Sequence, residues 1–268
     1  MFKDKVIIIT GASSGIGLAS ARLFASYGAR LVLAARNVEK LAEIEAELAP
    51  KAEVLSVRCD VSLEEDCKNL VEQAVSRFGG VDVLVNNAGI SMRALFKDLD
   101  LKVIRSLMDT NFWGTVYCTK YALPYLLKAK GSVIGVISTA GFVGLPARTG
   151  YSSSKFAIRG FLNTLRMEHL HDGLHVMVFA PGFTASNIRN TALVADGSQQ
   201  GKTPREEGKM MTAEAVALKM AQGIRRRKAE MILTPIGKLT VVLSKIMPRA
   251  LDRMEYRFMA KEPDSPFK

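Results

Sequence analysis

Apolar runs of strand length alternate with amphipathic segments of helical length through most of the chain. Strands separated by helices of this length indicate right-handed crossovers and a parallel sheet covered on both faces. The pattern therefore predicts an α/β fold with a doubly wound parallel sheet of about seven strands flanked by helices. The predicted strands are Val6–Thr10, Arg30–Ala35, Glu53–Arg58, Val81–Asn86, Ser132–Ser138, Leu174–Ala180 and Glu230–Leu233.

Helical spacing of apolar residues predicts helices at Val38–Leu48, Leu63–Phe78 and Ile104–Leu127, and another that begins near Tyr151. No repeat or low-complexity linker interrupts the series, so residues 1–268 are expected to form a single domain. The periodic pattern fails over about residues 182–211. A stretch this long is typical of a lid or of a disordered loop, and its position after a strand favours a substrate lid.

The tail, about residues 236–268, combines apolar residues at helical spacing with many cations. From Lys202 onward there are 15 basic and 8 acidic residues, a larger excess than in the rest of the chain. Packing of this amphipathic tail on the sheet or on a partner subunit is the ordinary expectation. The alternative is peripheral contact with an anionic membrane surface. Nucleic acid is not expected as a partner, because the basic run lacks interleaved aromatics and a recognisable binding module.

Composition favours a cytoplasmic protein. The chain contains only three cysteines and three histidines, with no CxxC motif, so neither a disulfide framework nor a metal site is expected. No apolar run is long enough to span a bilayer, and we expect no signal peptide before the first strand.

Glycines follow the first strand directly, in the stretch Gly11-Ala12-Ser13-Ser14-Gly15-Ile16-Gly17. At a junction of strand and helix, glycines let the backbone turn tightly and approach a pyrophosphate, whose charge is met by amide groups and the helix dipole. A flexible turn is the alternative, but this position in an α/β repeat favours dinucleotide binding.

Arg36 follows the second predicted strand, where an acidic residue would bind the ribose hydroxyls of NAD. A guanidinium at this point suits the 2′-phosphate of NADP instead. A solvated turn residue is the alternative. The interpretation depends on Arg36 alone, because the glycine loop carries Ser14 where many NADP-binding loops carry a cation.

Tyr151 and Lys155 are four residues apart in a predicted helix, so their side chains share one face. A phenol has a reference pKa of about 10, and a neighbouring ammonium lowers it. We therefore expect Lys155 to lower the pKa of Tyr151 into the range of a general acid/base. Such pairs also occur by chance on solvated helix faces, so this one gains weight only from the other motifs.

Several features together resemble the short-chain dehydrogenase/reductase family over nearly the whole chain. They are the glycine loop, Asn86-Asn87-Ala88-Gly89, Asn111, Ser138, the Tyr151/Lys155 pair and Pro181-Gly182. The resemblance implies a Rossmann fold and a catalytic tetrad of Asn111, Ser138, Tyr151 and Lys155. Taken alone, Ser138 would be interpreted as a turn cap and Asn111 as a capping or buried amide.

The resemblance also implies the cofactor contacts and the chemistry. Tyr151 would protonate an alkoxide formed by hydride transfer, Ser138 would stabilise that alkoxide, and Asn111 would position a water. Lys155 would also bind the nicotinamide ribose. The implied cofactor-binding residues are Gly11, Ser13, Ser14, Gly15, Ile16, Gly17, Arg36, Asp60, Val61, Asn87, Ala88, Gly89, Tyr151, Lys155, Pro181, Gly182 and Thr184.

Within the family, the chain resembles the hydroxysteroid-dehydrogenase-like branch in Asn87-Ala88-Gly89-Ile90-Ser91, Met108-Asp109-Thr110-Asn111 and Ala195-Asp196-Gly197-Ser198. The implied activity is NADPH-dependent reduction of a lipophilic ketone or aldehyde, or the reverse oxidation, in a homodimer or homotetramer. The N-terminal membrane anchor of that branch is not expected here. The candidate walls of an apolar substrate pocket are Ile90, Phe142, Val143, Leu145 and Phe183.

Two alternatives remain open from the sequence. One is a 3-oxoacyl thioester reductase, for which the basic tail would meet an acidic carrier protein. The other is a non-catalytic regulator that senses NADP, although such a protein would be expected to lose members of the tetrad.

Overall fold

The computed structural model describes residues 1–184, 187–201, 203, 208, 210–262 and 265–267. Within these residues, seven parallel strands form one sheet in the order β3-β2-β1-β4-β5-β6-β7. The chain order reverses between β1 and β4, so the doubly wound sheet predicted from the sequence is confirmed. The strands are β1 Val6–Thr10, β2 Arg30–Ala35, β3 Val54–Arg58, β4 Val83–Asn86, β5 Ser132–Val136, β6 His175–Ala180 and β7 Glu230–Ile232.

Helices cover both faces of the sheet. Buried residues of α3, α5 and α6 form the core on one face, and those of α1, α2 and α7 form the core on the other. The described helices are α1 Gly15–Ser26, α2 Val38–Leu48, α3 Glu64–Phe78, α4 Leu101–Leu107, α5 Gly114–Lys128, α6 Thr149–Glu168, α7 Ala213–Arg225, α8 Pro235–Ile246 and α9 Pro248–Ala260.

The central strand β1 shows why the strands are apolar throughout. Ile8 packs into one core, whereas Ile7 and Ile9 pack into the other, and none of the three is exposed. Successive side chains of a strand point to opposite faces, so a strand covered on both faces alternates between two apolar environments. Each buried isoleucine contributes about 1.5–3 kcal/mol of transfer free energy.

The predicted long helix Ile104–Leu127 is wrong as one element. The chain forms α4, then a π-helical turn over Met108–Trp113, then α5. A π-helical turn inserts an extra residue into the helix and often lies at a functional site. Predicted strand ends also differ: β5 ends at Val136, so Ser138 lies beyond the ladder.

The described part of the predicted lid packs against the segment that follows β4. The Leu193 amide donates to the Ser91 carbonyl at 2.8 Å, and the Arg93 amide donates to the Leu193 carbonyl at 2.8 Å. Residues 185, 186, 202, 204–207 and 209 of the predicted lid lie outside the described residues.

The tail forms α8 and α9, which meet at Met247 and Pro248. Val241 and Leu251 pack into the core on the α6 face, and a buried ion pair joins Arg93 to Glu262 with 3.2 Å between Nη2 and Oε2. The opposite side of α8 exposes Ile236, Leu239 and Ile246. Of the helices that the structure describes, none combines the length and the apolar composition needed to cross a membrane.

Candidate active site

A cleft of about 640 Å³ opens at the carboxyl ends of the strands, beside the point where the chain order reverses. This is where doubly wound sheets bind nucleotides. Of the predicted cofactor-binding residues, the cleft is lined by Gly11, Ser13, Ser14, Gly15, Ile16, Arg36, Asp60, Val61, Asn87, Ala88 and Gly89.

The glycine loop passes too close to its neighbours to carry side chains. A Cβ at Gly17 would lie 2.2 Å from the carbonyl oxygen of Gly11, and a Cβ at Gly11 would lie 2.9 Å from the Cα of Ala88. Gly11 also adopts a φ of +64°, which side chains disfavour. The loop therefore holds the start of α1 close to the cleft, where the first amide groups of the helix are available to an anion.

Asn87 and Thr10 fix the end of β4 to the glycine loop. Asn87 Nδ2 donates to the carbonyls of Thr10 at 2.9 Å and Gly11 at 3.2 Å. The Thr10 hydroxyl accepts from the amides of Asn87 and Ala88, both at 3.0 Å, and donates to the Val85 carbonyl. These bonds hold the glycine loop and the residues after β4 together where both line the cleft.

Arg36 and Asp60 lie at the far end of the cleft. Arg36 is exposed at the end of β2, and the next residue, Asn37, caps α2 by accepting from the Lys40 amide. Asp60 Oδ1 accepts from the amide and hydroxyl of Ser62 at 3.1 and 2.7 Å. The side chain of Asp60 therefore stabilises the turn in which it lies, and this turn faces the cleft.

Tyr151 and Lys155 lie on the first turns of α6, on the face that the sequence predicted. The Lys155 ammonium lies 5.8 Å from the centre of the Tyr151 ring and donates to the Val136 carbonyl at 3.0 Å. Lys155 is buried, and burial lowers its pKa to about 8. Tyr151 packs against the apolar cluster that contains Met92 and Leu107.

The pKa of Tyr151 is raised, so the expectation that Lys155 lowers it is wrong for this structure. Burial outweighs two opposing effects, a hydrogen bond with Ser138 and the positive charge of Arg148. A phenol with a raised pKa stays protonated at neutral pH but is a weaker acid, so Ser138 and Arg148, which lower the pKa, are the groups that favour proton donation.

Ser138 and Asn111 lie next to α6 on two different segments of the chain. The Ser138 hydroxyl accepts from the Ala140 amide at 3.3 Å, as a turn cap does, and Ser138 lowers the pKa of Tyr151. Asn111 lies in the π-helical turn and is fully buried. Its Nδ2 donates to the Ile90 carbonyl at 3.0 Å and the Ser154 hydroxyl at 2.9 Å, and its Oδ1 accepts from the Ile90 amide at 2.8 Å. Its side chain thus joins α6 to the segment after β4.

Six of the predicted cofactor-binding residues are not among those that line this cleft: Gly17, Tyr151, Lys155, Pro181, Gly182 and Thr184. Gly17 packs behind the loop, and Gly182 follows β6 with its Cα against Thr234. Pro181 precedes it, and the Thr184 hydroxyl bonds to the Gly182 carbonyl. Of the candidate pocket walls, Ile90 lines the cleft, Leu145 is half-buried outside its lining, Phe142 and Val143 are buried in the core, and Phe183 is half exposed.

Sequence reasoning missed part of the cleft wall. Residues of α4, the π-helical turn and the described lid also line the cleft: Ser106, Asp109, Thr110, Asn187, Ile188, Thr191, Leu193, Gly197 and Gln199. The predicted lid already indicated the lid residues of this wall. No periodicity in the sequence indicates the π-helical turn.

Comparisons with known proteins agree with this geometry. The short chain dehydrogenase profile matches residues 5–195. The chain is 34% identical to dehydrogenase/reductase SDR family member 7B of Bos taurus over 272 residues, which covers 98% of this chain and 84% of the relative. It is 40% identical to 11-beta-hydroxysteroid dehydrogenase-like 4A of Arabidopsis thaliana over 223 residues, covering 82% and 74%.

Two solved structures have a similar fold. A short chain dehydrogenase/reductase from Burkholderia phymatum in complex with NAD superposes with a TM-score of 0.83 and 26% identity, covering 93% of this chain and 95% of that one. An alcohol dehydrogenase from Thermococcus sibiricus complexed with 5-hydroxy-NADP superposes with a TM-score of 0.75 and 26% identity, covering 85% and 95%. The chain belongs to the short chain dehydrogenase family, in its hydroxysteroid-dehydrogenase-like branch.

Proposed function

We propose that this protein is an NADPH-dependent carbonyl reductase that acts on a lipophilic ketone or aldehyde, or oxidises the corresponding secondary alcohol. Family membership supports an oxidoreductase that acts on CH–OH or C=O groups. The observation that carries the proposal is the group of Ser138, Tyr151 and Lys155 next to a cleft that fits a dinucleotide. The Lys155 ammonium lies 5.8 Å from the centre of the Tyr151 ring, and Ser138 lowers the pKa of the phenol.

The cleft fits a dinucleotide in shape and in donor chemistry. Gly11 and Gly17 leave no room for side chains, so the backbone and the start of α1 are open to a pyrophosphate. When bound, NADPH would supply the hydride. Arg36 would bind the 2′-phosphate, because a guanidinium forms charge-assisted bonds to phosphate and the cleft carries no acid at this strand end.

The proton would come from Tyr151. Its raised pKa keeps the phenol protonated, and the Ser138 hydroxyl would bond to the same substrate oxygen. Lys155, with a pKa of about 8, titrates close enough to neutrality to pass a proton toward the phenol. Asn111 would hold α6 in register through Ser154 and, as predicted, position a water.

A lipophilic substrate suits the surroundings of the phenol. The cluster that packs against Tyr151 contains Met92 and Leu107, with Ile90 and Leu193 at its edge. Leu193 belongs to the predicted lid, whose closure over the cleft would exclude water from the reacting carbonyl.

We also propose an assembly and a location for the protein. We expect a cytoplasmic homodimer or homotetramer, in which the exposed Trp113 and Phe156 near α5 and α6 would be covered by a partner. Peripheral membrane contact is proposed through α8, because Ile236 and Leu239 are exposed there beside Lys238 and Lys245. Gly237 packs against Thr139, next to Ser138, so this surface begins near the site.

The test is a panel of lipophilic ketones, 3-oxoacyl thioesters and sugars, assayed for oxidation of NADPH and of NADH. We expect NADPH-dependent turnover of the lipophilic ketones. A preference for acyl thioesters would favour the thioester reductase. Tight NADPH binding without any turnover would favour the regulator.

A further inference from the structure

Arg148 lies at the start of α6 and has no part in the hydride and proton transfers proposed above. It occupies the position just before α6, three residues before Tyr151. Its Nη1 donates to the Ser91 hydroxyl at 3.0 Å and to the Met92 carbonyl oxygen. These bonds tie the start of α6 to the segment that follows β4.

The same two segments are joined by their backbones. The Ala94 amide donates to the Ala147 carbonyl at 3.1 Å, and both Ser91 and Met92 are buried. An arginine bonded to buried acceptors has a fixed position, because moving it would leave those acceptors without their donor. The charge of Arg148 is therefore held at the start of the helix.

The surroundings of the phenol are largely apolar. Gly150 packs against Ile104 and Leu107 of α4, and Leu193 of the lid lies in the same cluster as Tyr151. The cations of α4 are Lys102, which pairs with Asp100, and Arg105, and both are exposed.

In the described part of the lid, the charged groups Arg189 and Asp196 have other partners. Arg189 donates to the Thr184 carbonyl and to the Thr203 hydroxyl, and Asp196 accepts from Ser198. Lys155 donates to the Val136 carbonyl, below the ring. In the part of the chain that the structure describes, Arg148 is the charged group that lowers the pKa of Tyr151.

We propose that Arg148 is a positioning residue for the catalytic tyrosine, which holds the first turn of α6 on Ser91 and Met92 and keeps a fixed positive charge three residues before Tyr151, at the start of the helix. This role rests on the proposed function of Tyr151 as the proton donor. Charge at this point stabilises the phenolate that remains after the proton has been given to the substrate. Arg148 thus supplies the electrostatic effect that the sequence assigned to Lys155.

Two variants separate the charge from the contacts. Arg148→Gln removes the charge and keeps a hydrogen-bond donor, whereas Arg148→Lys keeps the charge on a different head group. In the reduction reaction, rates fall at high pH as Tyr151 loses its proton. We expect this alkaline limb to move to higher pH by at least about half a pH unit in Arg148→Gln, and to stay near its wild-type pH in Arg148→Lys. The proposal would be overturned if the alkaline limb lay at the same pH in all three proteins, or if it moved by the same amount in both variants.

A second measurement needs no turnover. Carbon-13 labelling of the tyrosine Cζ atoms gives one resonance for each tyrosine, and Tyr151→Phe assigns the one of interest. The Tyr151 midpoint should rise in Arg148→Gln relative to the wild type and Arg148→Lys. If Arg148→Gln does not fold, Ser91→Ala removes one acceptor of Arg148 and should give a smaller rise. Unchanged midpoints overturn the role of Arg148 and leave the reductase intact, whereas shifted midpoints without any turnover overturn the reductase alone.

Discussion

The ammonium of Lys155 donates a hydrogen bond to the carbonyl oxygen of Val136, at the end of β5, with 3.0 Å between the two atoms. Only 4% of Lys155 is exposed, and burial lowers its pKa from 10.5 to about 8. The chain therefore holds a cation inside the fold at a cost in stability, which is common at catalytic sites.

This cost predicts that Lys155→Met stabilises the fold while it abolishes turnover. Between pH 8 and 10.5 the unfolded chain binds more protons at Lys155 than the folded chain, so the stability of the wild type rises with pH in this window. The variant should gain about 1–2 kcal/mol in free energy of unfolding at pH 7, after the loss of the bond to Val136. This gain should shrink as the pH rises through the window.

Denaturant unfolding at several pH values measures the effect. Lys68→Met is the matched control, because the side chain of Lys68 on α3 is 44% exposed and its loss should change the stability little. A Lys155→Met protein that is less stable than the wild type at pH 7, or a gain that does not depend on pH, contradicts this account of the buried ammonium.

Two glycine substitutions should affect different properties: one should weaken cofactor binding, and the other should stabilise the fold. Gly17→Ala places a Cβ 2.2 Å from the Gly11 carbonyl oxygen, so the glycine loop must shift, and we expect cofactor affinity to fall by at least about tenfold. Gly160→Ala adds a methyl group to an exposed position of α6 with no atom within 4 Å, and should stabilise the fold by about 0.5–1 kcal/mol.

Cofactor titration and thermal unfolding of the two variants provide the measurements. A Gly17→Ala protein that binds NADPH as tightly as the wild type would show that the loop does not approach the pyrophosphate.

Removal of Arg36 should change the cofactor preference. Arg36→Ala should raise the KM for NADPH by about 10- to 100-fold, because the 2′-phosphate loses a charge-assisted bond, and should leave the KM for NADH nearly unchanged. Arg77→Ala is the control, since Arg77 is an exposed arginine far from the cleft. Equal effects on both cofactors would remove the argument for NADPH.

Features that depend on local pattern could be predicted from the sequence. The apolar run of β1, the glycines that follow it, and the spacing of Tyr151 and Lys155 each determine a short piece of structure. The doubly wound parallel sheet follows from the alternation of strands and helices along the chain. The predicted strand that ends at Ser138 was correct in its start at Ser132, whereas β5 ends two residues before Ser138.

Features that depend on tertiary packing could not be predicted in this way. The π-helical turn that contains Asn111 interrupts an amphipathic pattern that by itself predicts one continuous helix. The direction of the pKa shift of Tyr151 results from burial against Met92 and Leu107, which come from other parts of the chain. The contact of Arg148 with Ser91 joins residues 57 positions apart, and no local motif indicates it.

The most direct test of the central claim is a comparison of Tyr151→Phe with the wild type. NADPH binding is measured by fluorescence titration, and turnover is measured on the best ketone of the panel. The account predicts that the variant binds NADPH within about threefold of the wild type and loses at least about a hundredfold in kcat, because the proton donor is gone while the cleft is intact. A variant that reduces the ketone at the wild-type rate would contradict the assignment of Tyr151 and, with it, the proposed mechanism.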